Sequence, residues 1–142
     1  MIESQEKIYV WKPIEGLEGE FNILSEIFDS DGLKIVFDKD KDPQKGVLIH
    51  FSHGFKSYRI TEEMLAFHLI EGPYFVCEGE ELPPSWSFFK VENSEYLKWA
   101  SYQPNNASET LNLVHYAIWT RDWQVDILSS AEPDVKLIDI ND

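Results

Sequence analysis

Apolar and polar positions alternate along much of this chain with the period of a β-strand. In Leu33-Lys34-Ile35-Val36-Phe37, the residues Leu33, Ile35 and Phe37 share one parity, as in a strand with one buried face. Val47 to Phe51 repeats the pattern with Val47, Ile49 and Phe51. Phe21 to Phe28 places Phe21, Ile23 and Ile27 on one side, with Leu24 and Phe28 on the other. Asp29-Ser30-Asp31-Gly32 has hairpin-turn chemistry, because Asp-Gly tolerates positive φ cheaply. Lys7 to Trp11 predicts a short edge strand, and Asp38 to Gly46 a polar loop. Phe55 to Ile60 reads as the hairpin partner of Val47–Phe51, joined through His53-Gly54. Connections this short favour antiparallel neighbours.

The period changes at Thr61, an N-cap candidate followed by Glu62 and Glu63, whose carboxylates suit the first turn of a helix. Met64, Leu65, Phe67, His68 and Leu69 extend that helix over about 61–70, and Gly72-Pro73 ends it. Tyr74 to Cys77 predicts a short strand, Pro83-Pro84 an extended turn, and Trp86 to Val91 another strand. Asn93-Ser94-Glu95 caps a second helix over about 94–102, bearing Tyr96, Leu97, Trp99 and Ala100. Leu113–Trp119 and Trp123–Leu128 form the clearest hairpin, around Thr120-Arg121-Asp122, and Val135 to Ile138 is a last strand. The expected fold is a single α+β domain over residues 1–142. A mainly antiparallel twisted sheet would carry the two short helices packed on it.

Composition adds that this chain can build a core. At 43% hydrophobic and 14% aromatic it is unlike the aromatic-poor acidic sequences that stay disordered. Cys77 is the only cysteine, which excludes an internal disulfide and suits a reducing compartment. Met1 to Lys12 has no apolar core of signal-peptide type, and no apolar run reaches bilayer length. A cytoplasmic location is expected.

Charge changes the picture more. The formal net charge is −14, and the surplus is concentrated. Between Ile60 and Phe89 stand Glu62, Glu63, Glu71, Glu78, Glu80 and Glu81, with no lysine or arginine among them. Such a field attracts a basic partner at long range. Direct nucleic-acid binding is disfavoured, because twelve scattered bases offer no cationic face for phosphates. A monomer or weak homodimer is expected, with Lys7–Trp11 as an edge that could self-pair.

No catalytic or metal motif accompanies the charge. His50 and His53 lie at a strand end and a turn, His68 is in the first predicted helix, and no CxxC or HExxH is present. His50 and His115 occupy the polar parity of apolar strands, which suggests surface or cross-strand pairing. Asp38, Asp40 and Asp42 begin like a calcium loop, but Pro43 and Ile49 stand where the loop needs Gly and Glu. Ser52-His53-Gly54 is a hairpin tip and no nucleophile elbow. No cofactor is expected. The aromatics mostly read as core, yet Trp86, Trp119 and Trp123 lie near acidic groups or a hairpin tip, where tryptophan can anchor an interface.

One longer stretch has a family likeness. The runs from Trp86 to Trp99, from His115 to Asp122 and from Val125 to Val135 resemble a group of small acidic bacterial proteins. These are found chiefly in Bacillus-like genomes, many beside genes for polymorphic secreted toxins. The resemblance covers residues 86–138 and leaves the first half unmatched. It implies an immunity protein, of the kind that protects against a wall-associated tRNA-cleaving toxin, and brings no functional residues with it.

The expected function is therefore that of a non-enzymatic acidic binding protein that occludes a basic, nuclease-like toxin. Its partner-binding residues would be Glu62, Glu63, Glu71, Glu78, Glu80, Glu81, Trp86, Trp119 and Trp123. One alternative is an interaction module for another basic partner. Another is a small ligand-binding or enzymatic domain with carboxylates in a sheet pocket. That last reading requires a buried Asp or Glu with a raised pKa and His50 or His115 in reach.

Overall fold

The alternating segments assemble into two sheets. A computed structural model of the chain describes residues 6–62, 76–78, 86–101 and 112–140. Ten strands appear there: β1 (Lys7–Val10), β2 (Phe21–Asp29), β3 (Gly32–Lys39), β4 (Asp42–Phe51), β5 (Phe55–Glu62), β6 (Val76–Glu78), β7 (Phe88–Glu92), β8 (Val114–Trp119), β9 (Trp123–Ser129) and β10 (Asp134–Asp139). One helix, α1 (Glu95–Ser101), lies between β7 and β8. A four-stranded sheet runs β10-β4-β3-β2 and a six-stranded sheet runs β5-β9-β8-β7-β1-β6. Among the described residues no helix is long and apolar enough to cross a membrane.

The core lies between the sheets, and period two explains why. Leu33, Ile35 and Phe37 of β3 and Val47, Ile49 and Phe51 of β4 are almost fully buried from one side. They meet Phe88 of β7, Tyr116 and Ile118 of β8, and Val125 and Ile127 of β9 in one continuous cluster. Phe88 is its centre: its ring lies edge-on to Phe21 at 5.3 Å and to Phe37 at 6.2 Å across the gap between sheets. Phe51 and Tyr116 repeat that contact at 5.4 Å. Such edge-to-face pairs add to the area that the rings bury.

The α+β expectation is corrected to a mainly β architecture with a single short helix among the described residues. Three causes are visible. Thr61 and Glu62 pair with Gln124 and Trp123, so the segment read as a helix start over 61–70 continues β5; residues 63–70 lie outside the described residues. Phe55–Ile60 is no hairpin partner of Val47–Phe51. Gly54, at φ 76°, turns the chain out of the four-stranded sheet, and β5 pairs with β9 instead. Asp38–Gly46 is mostly strand, with only a tight turn between β3 and β4. In addition, Lys7–Val10 is an interior strand, antiparallel to β7 and parallel to β6, so it offers no free edge. The second helix, expected over 94–102, is present as α1, and the β8–β9 hairpin closes with Thr120 Oγ1 accepting the Trp123 N–H at 3.0 Å.

Because Phe88 touches both sheets, Phe88→Ala is expected to cost about 3–5 kcal/mol in urea unfolding. A loss below about 1 kcal/mol would show that the two sheets are not held through this ring.

Candidate functional site

Tyr116 and Ile118 face the core, so the same pleat turns His115, Ala117 and Trp119 to the opposite face of the six-stranded sheet. On β9 the residues that turn outward are Gln124, Asp126 and Leu128. His115 stands opposite Leu128 and therefore diagonal to Asp126, within reach of a long side chain. Helix α1 lies over this face, with Tyr96 and Ala100 packed on Leu128. Its start is set by Ser94, whose Oγ accepts the Leu97 N–H at 3.0 Å, the geometry of an N-cap.

These elements bring together a buried polar network. Asp126 is fully buried, and His115 is 3% exposed. His115 Nε2 lies 2.7 Å from Asp126 Oδ1, and Ser94 Oγ lies 2.6 Å from His115 Nδ1. Arg59 of β5 donates from Nε to Asp126 Oδ2 at 3.1 Å, and the Gln124 amide donates to both oxygens at 3.2 Å. The Arg59 guanidinium also lies over the Tyr96 ring at 4.2 Å. Burial alone pushes the Asp126 carboxyl up, but the hydrogen bond and charge of His115, with Arg59, outweigh it and hold the carboxyl below its ordinary value of 3.8. An ionised carboxylate only accepts, so Nε2 carries a proton towards Asp126.

Ser94, His115 and Asp126 are linked in the order of a hydrolytic triad, with the ring nitrogens exchanged: Nδ1 meets the serine and Nε2 the carboxylate. Its nucleophile is nonetheless sealed. Ser94 is 1% exposed, and its Oγ both caps α1 and bonds the ring. The pocket-enzyme reading required a raised carboxyl pKa beside His50 or His115, and Asp126 beside His115 has the opposite sign. His50 is far from this chemistry, bonded through Nε2 to the Asp31 carbonyl at 2.6 Å.

Above the network lies a cavity of about 290 Å³. Asp126, His115, Gln124 and Arg59 form its polar part, Tyr96, Trp99 and Trp119 its aromatic walls, and Glu6 and Glu95 its outer carboxylates. Glu6 Oε2 accepts the Glu95 N–H at 2.9 Å, which ties the segment before β1 to the start of α1.

The sequence-predicted partner residues are scattered by comparison. Glu62 and Trp123 come together as cross-strand partners on β5 and β9, both exposed. Trp119 is half-buried, with its ring 4.7 Å from Phe89. Trp86 is buried, donating its indole N–H to the Phe88 carbonyl at 2.7 Å, so it belongs to the core. Glu78 stands opposite Tyr9 on β6. Glu63, Glu71, Glu80 and Glu81 lie outside the described residues. The Asp40 carboxylate of the aspartate-rich turn is bonded by Arg121 at 3.0 Å, and no metal-binding group of His, Cys, Asp and Glu occurs among the described residues.

Sequence reasoning missed Arg59, Ser94, Tyr96, Trp99, Gln124 and Asp126 as neighbours. The available signal was parity: Asp126 and His115 are polar positions in two otherwise apolar strands that a hairpin turn must pair. Comparison with protein-family models, curated proteins and solved structures finds no match for this chain.

Because the folded-state pKa of Asp126 is depressed, its contribution to stability is present above 3.8 and is lost as pH falls through the lower folded value. Urea unfolding measured between about pH 5 and about pH 2 should show a steeper acid loss for the native chain than for Asp126→Asn. Equal slopes would remove Asp126 from the acid response.

Proposed function

We propose that this chain is a non-catalytic acidic binding protein that captures a basic protein partner in the cytoplasm. The observation that carries the reading is the pairing of exposed tryptophan with carboxylate across β5 and β9. Trp123 stands opposite Glu62 at the sheet end where the acidic stretch begins. Charge there accelerates encounter, and aromatic burial slows release. The sealed Ser94 supports binding over hydrolysis.

The distribution of cations supports the same conclusion. Lys34, Lys45, Arg59, Lys90, Lys98 and Arg121 each pair with a carboxylate of this chain. Six of the twelve basic residues are thus partly neutralised within the chain. In its narrower form, following the resemblance of residues 86–138, the partner is a nuclease-like toxin whose basic cleft is occluded by this surface.

The test is capture from the native cell on the tagged chain, elution in a salt gradient, and growth rescue on co-expression with the recovered partner. A basic protein leaving only at high salt is expected. Replacing Glu62, Glu80 and Glu81 by Lys should slow association about tenfold or more, whereas Trp123→Ala should mainly speed dissociation. Unchanged rates and unchanged salt dependence in both variants would sink the reading.

A further inference from the structure

We infer that the cavity between α1 and the outer face of the six-stranded sheet receives an arginine side chain of the basic partner. This rests on the binding reading above and adds where, and by what chemistry, one partner residue is held.

Size comes first. At about 290 Å³ the cavity sits at the lower limit of small-molecule pockets, roughly 300 Å³. It suits one long side chain better than a cofactor. His115 and Trp119, which both line it, are four residue steps apart on β8, about 13 Å of extended strand.

Charge comes next. Three carboxylates, of Glu6, Glu95 and Asp126, line the space against one guanidinium, that of Arg59. An anion would be repelled. A neutral apolar group would strip water from carboxylates and return nothing. A cation meets both needs. Asp126 is fully engaged by His115, Gln124 and Arg59, so the incoming group would meet Glu6 and Glu95 at the mouth. Glu6 uses Oε2 on the Glu95 N–H, which leaves acceptor capacity on its other oxygen. Glu95 holds Lys98 at 3.3 Å with its side chain 72% exposed, a solvent-screened pair that exchanges partners easily.

The walls select among cations. Trp99 is 52% exposed and stacks on Tyr96 with centroids 5.7 Å apart, and Trp119 lies at the other end. A planar guanidinium stacks on such faces while its edge forks to a carboxylate, and an ammonium does so less well. Arg59 already adopts this arrangement on the neighbouring ring, lying over Tyr96 while it donates to Asp126. The incoming arginine would repeat it one ring further out.

The experiment titrates the full chain with N-acetylarginine amide by calorimetry, alongside the lysine amide and the neutral, near-isosteric citrulline amide. The arginine compound is expected to bind at least about tenfold more tightly than citrulline. Trp99→Ala and the double variant Glu6→Gln/Glu95→Gln should each weaken it by about the same factor. Leu24→Ala, exposed on β2 of the other sheet, should leave it unchanged. Equal binding of citrulline or lysine, or arginine binding indifferent to both cavity variants, overturns the assignment. The double-Gln variant keeps the test open if Trp99→Ala folds poorly. An octa-arginine peptide separates the two levels. Salt-sensitive binding that the cavity variants do not weaken overturns the cavity and leaves the basic-partner reading standing. Failure of octa-arginine to bind the native chain at low salt overturns both.

Discussion

Asp126 has no exposed surface, yet it keeps its charge. A carboxylate in that position is tolerable only when its lone pairs are met, and here the donors arrive from β8, β9 and β5 at once. The His115 that satisfies it is in turn fixed by Ser94, the residue that starts α1. One buried charge therefore couples the position of the helix, the diagonal register of the β8–β9 hairpin and the rotamer of Arg59. Buried ion pairs of this kind add little net stability, but a mispaired alternative would strand a charge. The six-stranded sheet is thereby specified on its outer face by polar satisfaction, as its inner face is by aromatic packing.

That division shapes what the surface can do. The inner face is closed by Phe88, Phe21, Phe37, Phe51 and Tyr116. Among the described residues, the outer face carries α1, seven residues long and packed through Tyr96 and Ala100 on Leu128. Beyond it the sheet shows the cavity and, past Trp119, the hairpin tip with Trp123 and its neighbour Glu62. The triad-like order beside the cavity uses the same residue types as catalysis, and here it ties α1 to the β8–β9 pair. Ser94 itself is 1% exposed, and its Oγ is occupied by the helix cap and the imidazole.

Edges follow the same logic. β1 is flanked on both sides and cannot template a second chain. The four-stranded sheet ends on β2 and β10, and Leu24, Ile27 and Phe28 of β2 stay exposed. A bulge between Ile23 and Ser25 breaks the regular ladder there, a common device on strands with an open edge.

Local chemistry made much of the fold legible. Period two placed Leu33, Ile35 and Phe37 on a buried face, Asp-Gly closed the first hairpin, Ser94 capped α1, and the β8–β9 hairpin was readable from alternation and its turn. These features depend on neighbours within a few residues, so the sequence alone determined them. Sheet membership did not have that property. Whether β5 continues from β4 or pairs with β9 depends on which distant strand offers its main-chain groups, and Thr61 looked like a helix cap until Gln124 paired with it. The site was hidden for the same reason. Arg59, Ser94, His115 and Asp126 span 67 positions between Arg59 and Asp126, and parity says only that each faces away from the core, never that they face each other. Only the tertiary structure, by laying α1 and β5 beside the β8–β9 pair, decided that their charges meet under one cavity.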